Sequence, residues 1–190
     1  MSDLRAVLLA VVTVLGSADM RAAAADEPAN PMVEIGQLPP PRGWVDFCRE
    51  HAADCRWTQA DPVALTPARW AELQEINRKV NRAIKAREEG VADVWRYPDD
   101  GYGDCEDYAL LKRRLLKEAG WPAGALLMAT ARLANGVGHA VLIVRTDHGE
   151  YVLDNRRNDI LEWDQVGFTL LARQSAGGGG TWSALAPFAP

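Results

Sequence analysis

Apolar positions along the chain form two helical stripes and two short strand-like runs, separated by segments with no period. Trp70, Leu73, Ile76, Val80 and Ala83 or Ile84 recur on one helix face, and Thr66 followed by Pro67 supplies an N-cap and a first-turn proline. A helix is therefore expected from Pro67 to a stop at Gly90. A second stripe, Tyr108, Leu111 and Leu115, lies within Asp104 to Ala119, after the turn-like Gly101-Tyr102-Gly103 and before the stop signals Gly120 and Pro122. Acids crowd its first turn and bases its last two, as the helix dipole favours. GHAVLIV from Gly138 and YVLD from Tyr151 read as strands joined by the turn TDHGE.

The aperiodic segments sort by composition. Ala6 to Gly16 is an uncharged apolar run too short to span a bilayer, and small residues follow it up to Ala25, so residues 1–25 read as a signal peptide, with an uncleaved membrane anchor as the alternative. The proline-rich stretch Asp26 to Arg42 predicts an extended lead-in, which with the cysteine-bearing segment after it covers 26–60. A core over 61–175 and a flexible tail over 176–190, opened by SAGGGG, complete the expected organisation.

Composition narrows the function classes. The 190 residues carry 21 Lys plus Arg against 26 Asp plus Glu, a formal charge of −5 without long blocks of either sign, so no basic footprint for nucleic acid exists. Export implies an oxidising compartment. There, Cys48 and Cys55 read as a local disulfide; a metal cluster built with the intervening His51 is the competing reading.

Cys105 is left over, and it sits at a helix N-terminus. Free N–H groups and the positive dipole end stabilise a thiolate there, which makes Cys105 a candidate nucleophile. Of the three histidines, His51 lies in the cysteine loop and His148 in a turn, so His139 is the candidate base. A four-residue loop over Thr146 to Gly149 pairs Arg145 with Glu150 and sets Asp154 opposite Val141, on the face of His139 and diagonal to it at about 7–8 Å. A three-residue loop would put the two on opposite faces. In the first register Asp154 orients the imidazole that takes the proton of Cys105.

Cysteine in GDCEDYA, histidine in GHAVLIV and aspartate in VLDN, in that order, resemble the bacterial transglutaminase-like cysteine proteinases, in particular their LapG-type periplasmic members. The likeness extends from about Thr66 to Ser175, through INRKVNRAI and the later RQS. It implies an α+β fold with a papain-like, transglutaminase-like core, a cysteine-bearing helix packed on an antiparallel sheet. It also implies a triad of Cys105, His139 and Asp154. The like charges of Asp104, Glu106 and Asp107 oppose a thiolate, and a hard divalent cation would neutralise them. In the family, Ca2+ is held by the acids flanking the cysteine, which here are Asp104 and Glu106; Asp107 reads more simply as a dipole or capping residue.

By the same resemblance the substrate is the N-terminal region of a large secreted adhesin, cut beside small residues such as paired alanines, and access is controlled by an inner-membrane cyclic-di-GMP receptor. The oxyanion hole would use the Cys105 N–H and a second donor, for which the Trp95 indole is a candidate and core packing its alternative. Two other functions fit the same residues: a transamidase passing the acyl group from Cys105 to a lysine amine, and a non-enzymatic calcium-binding exported module with a structural cysteine. The residues do not specify an oligomeric state.

Overall fold

The computed structural model describes residues 30–87, 93–178 and 180–187. In chain order it contains β1 (Glu34–Leu38), α1 (Arg42–Glu50), α2 (Pro67–Ala83), β2 (Lys85–Ala86), β3 (Tyr102–Gly103) and α3 (Cys105–Glu118). Then follow β4 (Leu126–Arg132), β5 (Gly138–Thr146), β6 (Gly149–Leu153), β7 (Leu161–Glu162), β8 (Thr169–Gln174) and β9 (Trp182–Leu185). Seven strands make one antiparallel sheet in the order β1-β9-β8-β4-β5-β6-β7, while β2 and β3 pair in parallel apart from it. The architecture is α+β, with α3 packed on the sheet at β5.

β4 and β5 lie at the sheet centre and are apolar on both faces, which is why GHAVLIV shows no polar alternation. Met128, Leu142 and Val144 meet Trp44, Phe47, Leu73, Leu110 and Leu116 from the helices. Leu127, Val141 and Ile143 point to the other side, against Met32, Val152, Val166 and Leu170. Each fully buried large aliphatic side chain here contributes on the order of 1.5–3 kcal/mol.

The hairpin has the register that joins His139 to Asp154. Arg145 pairs with Glu150 and Leu142 with Leu153, so Asp154 continues opposite Val141. The pairing runs one step further than expected, to Thr146 and Gly149, leaving Asp147 and His148 as the turn.

Three expectations need correction. α2 ends at Ala83 rather than near Gly90, because Ile84 is drawn against Val80 and Tyr108, and the amides of Lys85 and Arg87 bond to Gly101 and Gly103. Gly90 itself lies outside the described residues. The stretch expected as an extended lead-in contains an edge strand, and the cysteine-bearing segment after it a helix. β1 is fastened by Glu34, which accepts from the buried Arg173 of β8 at 3.2 Å, and the amide of Met32 donates to Glu150 at 2.9 Å. The tail contains β9, since Trp182 is wholly buried and pairs with Gln174. The expected signal peptide lies outside the described residues, among which no helix is long and apolar enough to cross a membrane.

Cys48 and Cys55 form a disulfide, and the loop it closes docks on α3. Lys117 donates to the Asp54 carboxylate at 2.8 Å and Arg113 to its carbonyl at 2.7 Å. His51 packs between the rings of Phe47 and Tyr97, at 4.6 and 5.0 Å. The segment before the core thus braces the cysteine-bearing helix.

Candidate active site

The turn that presents Cys105 is fixed from below. Gly101 has φ +80°, and a Cβ on Gly103 would stand 2.6 Å from Asp107 Oδ2, so glycine is required at both positions for different reasons. Asp107 is fully buried and accepts the Arg96 amide at 2.9 Å. It therefore ties the approaching loop to the first turn of α3, a larger role than the dipole or capping residue its position suggests. Tyr108 donates to the Ile84 carbonyl at 2.7 Å and holds the end of α2 against the same turn.

Cys105 lies partly buried at the first position of α3, and its thiol donates to Glu106 Oε2 at 3.1 Å. Burial pushes its pKa far up, and the Glu106 and Asp104 charges push the same way, whereas the Ala140 backbone N–H on the neighbouring β5 pulls it down. Glu106 is nearly inaccessible; burial and the adjacent Asp104 carboxylate raise it to about 8, and the two carboxyls are hydrogen-bonded to each other. Burial and the two carboxyls both favour the thiol over the thiolate. The dipole advantage expected for a helix N-terminus is outweighed by burial and like charge.

His139 and Asp154 meet: Nε2 and Oδ1 are 3.0 Å apart, and both side chains are buried. Burial alone would raise Asp154, yet its pKa is lowered by the bond to His139, the Arg156 amide at 3.0 Å, and the charges of His139 and Lys112. Asn81 of α2 donates to the Asp154 carbonyl at 3.1 Å and so fixes the backbone that carries the carboxylate. Phe168 covers the imidazole edge-on at 5.4 Å between centroids. A groove of about 500 Å³ runs beside Phe168, between residues 132–134 and 167–171.

The structure thus joins two of the expected triad residues directly and brings the third beside them. The amide facing the sulfur belongs to Ala140, the residue after His139. Trp95 is different: its indole donates to Asp93 at 3.0 Å, and its buried ring packs edge-on against Trp44 and Trp182. Packing is its observed role. The sequence reading passed over Lys112, which the fold buries completely on α3. The available signal was a lysine seven residues after the cysteine, on the face shared with Ala109 and Leu116.

Asp104 and Glu106 fit the cation expected of them. Two carboxyls pressed together beside a third ionisable group share a proton, and a divalent cation replaces that proton with two positive charges. Among the described residues, no group of three or more His, Cys, Asp and Glu side chains converges into a metal cage. A calcium ion here would draw its remaining oxygens from backbone and water.

No curated protein sequence matches the chain. Solved structures do. Calcium-bound LapG of Legionella pneumophila is 25% identical, with a TM-score of 0.54 over 64% of this chain and 71% of that one. The EGTA-treated form of that protein gives the same identity and TM-score over 64% and 69%. The family described as bacterial transglutaminase-like cysteine proteinase (BTLCP) matches residues 34–188, from the edge strand that Glu34 anchors to just beyond β9. That span takes in the helix carrying Cys105 and the hairpin carrying His139 and Asp154, and the chain belongs to this family of cysteine peptidases.

Proposed function

We propose that the chain is a calcium-dependent endopeptidase in which Cys105 is the nucleophile, His139 the general base and Asp154 the residue that orients it. The observation carrying this reading is the buried 3.0 Å bond from His139 Nε2 to Asp154, formed one residue from the amide that faces the Cys105 sulfur. With Nε2–H donated to the carboxylate, Nδ1 keeps its lone pair and is the nitrogen available to the thiol.

His139 accepts the Cys105 proton as the sulfur attacks a peptide carbonyl carbon, forming a C–S bond. The C–N bond breaks as His139 returns that proton to the departing amine, and water then hydrolyses the thioester to free Cys105. Asp104 and Glu106 would hold Ca2+, whose chemistry is to cancel the negative charge that keeps the sulfur protonated.

The substrate and setting follow from the family resemblance. The leader exports the enzyme to the periplasm, where it cuts the N-terminal region of a large surface adhesin beside small residues, under control of an inner-membrane cyclic-di-GMP receptor. This would regulate cell attachment and biofilm formation. The LapG structures that this fold matches include calcium-bound and EGTA-treated forms, which supports the cation.

The test is to incubate the mature protein with adhesin N-terminal fragments, with calcium or with chelator, and to map new chain ends by mass spectrometry. Calcium-dependent cleavage at one site, lost in Cys105→Ala, is the expected result. Incorporation of a labelled amine without new chain ends would replace the endopeptidase with a transamidase.

A further inference from the structure

Asparagine is a poor residue for a helix interior, yet α2 carries two of them one turn apart in the segment INRKVNRAI: Asn77, which is wholly buried, and Asn81. Both amides reach out of the helix to a single segment. Asn77 Nδ2 donates to the carbonyls of Arg157 at 3.3 Å and Asn158 at 3.0 Å. Asn81 Nδ2 donates to the carbonyls of Asp154 at 3.1 Å and Arg157 at 2.8 Å, and to Asn158 Oδ1 at 3.3 Å. Every partner is an oxygen, so it is the donor end of each amide that must face this segment.

The segment follows β6 directly and has no helix or strand of its own, and Arg156, Arg157 and Asn158 are exposed. Its course nevertheless matters to the site. The Arg156 amide donates at 3.0 Å to Asp154 Oδ1, the same oxygen that meets His139 Nε2. That turn of side chain onto backbone sets the direction of the carboxylate, and it holds only while the backbone of 154–158 keeps its path. α2 is in turn fixed to the cysteine-bearing helix, since Tyr108 donates to the Ile84 carbonyl at 2.7 Å and packs with Val80 and Ile84.

We infer that Asn77 and Asn81 are positioning residues of the active site: they clamp the backbone of 154–158 to α2 and, through the Arg156 amide, hold the Asp154 carboxylate where His139 meets it. The inference rests on the triad proposed above. Asn81 reaches the Asp154 carbonyl itself and Asn77 only the far end of the segment, so Asn81 carries the larger share. Because α2 is also tied to α3, the same clamp places the hairpin against the helix that bears Cys105.

The experiment uses the full mature chain as Asn81→Leu, which keeps the shape and removes the donor, and, in case that variant does not fold, Asn81→Ala. With histidine labelled at both ring nitrogens, the His139 signals are identified by their absence in His139→Ala and read by NMR with the ring neutral. Wild type is expected to show one protonated and one bare nitrogen, the Nε2–H tautomer. In the Asn81 variant the two shifts should draw together as the displaced carboxylate lets the tautomers mix. In the cleavage assay kcat should fall about tenfold with KM within about twofold, and Asn77→Leu should lose about threefold. Asn81→Leu combined with Asp154→Asn should be no worse than Asp154→Asn alone.

An unchanged His139 spectrum in the variant, or a wild-type ring that is already a mixture, overturns the inference, as does a loss confined to KM or one that multiplies with Asp154→Asn. Loss of the fold in both Asn81 variants also overturns it, since the pair would then serve folding rather than the site. The NMR readout does not depend on turnover. Full activity in Cys105→Ala or Asp154→Asn would sink the triad itself, while the His139 shifts would still report whether the clamp holds the carboxylate.

Discussion

The two halves of the site are built to opposite electrostatic rules. At the hairpin, a buried carboxylate is surrounded by His139, the Arg156 amide and Lys112, all of which favour its charge, and its pKa falls despite burial. At the head of α3, a buried carboxylate is surrounded by a second carboxylate and a thiol, and it rises to about 8 while the thiol rises further. One half is preorganised by the chain alone. The other gathers two carboxyls around the thiol, at the place where the proposed reaction needs an anion. On the proposed function, the hairpin is set by the chain and the nucleophile is the half that a divalent cation would act on.

Removing the sulfur or the base tests both halves at once. Cys105→Ala and His139→Ala are each expected to reduce cleavage by about 10³-fold or more with circular dichroism unchanged, because Cys105 only borders the large apolar core and alanine fills most of its small volume, while His139 lies outside that core. Substantial cleavage by either variant would discard the triad. Asp154→Asn keeps the shape and removes the charge. Since the His139 tautomer is then no longer enforced, a loss on the order of 10²-fold is expected in the same assay. An effect below about threefold would mean that the hairpin is a scaffold and not a partner in the chemistry.

Asp104→Ala probes the other half, and here the two readings of the acid pair predict opposite signs. If Asp104 holds calcium, the calcium concentration for half-maximal activity rises about tenfold or more and activity is recovered at high calcium. If the acids matter only as charges that oppose the thiolate, removing one raises activity in chelator instead. A calcium titration of wild type and variant side by side separates them.

The sequence made the hairpin legible because its information is local. A charged pair at Arg145 and Glu150 sets the register, period-two counting carries it to Asp154, and the bond to His139 follows. α3 was legible for the same reason, through the turn before it, its stripe and its stop. What escaped were features created by distant contacts. β1 is short and proline-flanked, and it becomes a strand by pairing with β9, while Arg173, 139 residues away, holds Glu34. The end of α2 is set by Tyr108, and β9 by a tryptophan that buries itself from a glycine-rich tail. In the site, Asp107 reads in the sequence as a dipole or capping residue, and Lys112 carries no separate signal beyond its spacing from the cysteine. That they face inward depends on which side of α3 the sheet covers, and no spacing rule states this.

The smallest effect concerns stability, and it asks what the preorganised half costs. Burial lowers Lys112 from 10.5 to about 7, against the pull of Asp154. Between those values the unfolded chain binds more protons than the folded one, so this group's contribution to stability rises as pH increases from about 7 toward 10.5 and is least favourable below 7. Asp154 acts in a separate window: its lowered pKa adds stability above about 3.8 that is lost as pH falls through the folded value, so it does not confuse the measurement near neutrality. Lys112→Met should therefore be more stable than wild type at pH 7 by about 1–4 kcal/mol in urea unfolding, with the gap closing as pH approaches 10. A variant that is less stable at pH 7, or a gap that ignores pH, would show that the ammonium is at ease where it lies, and the contrast between the two halves would lose its energetic basis.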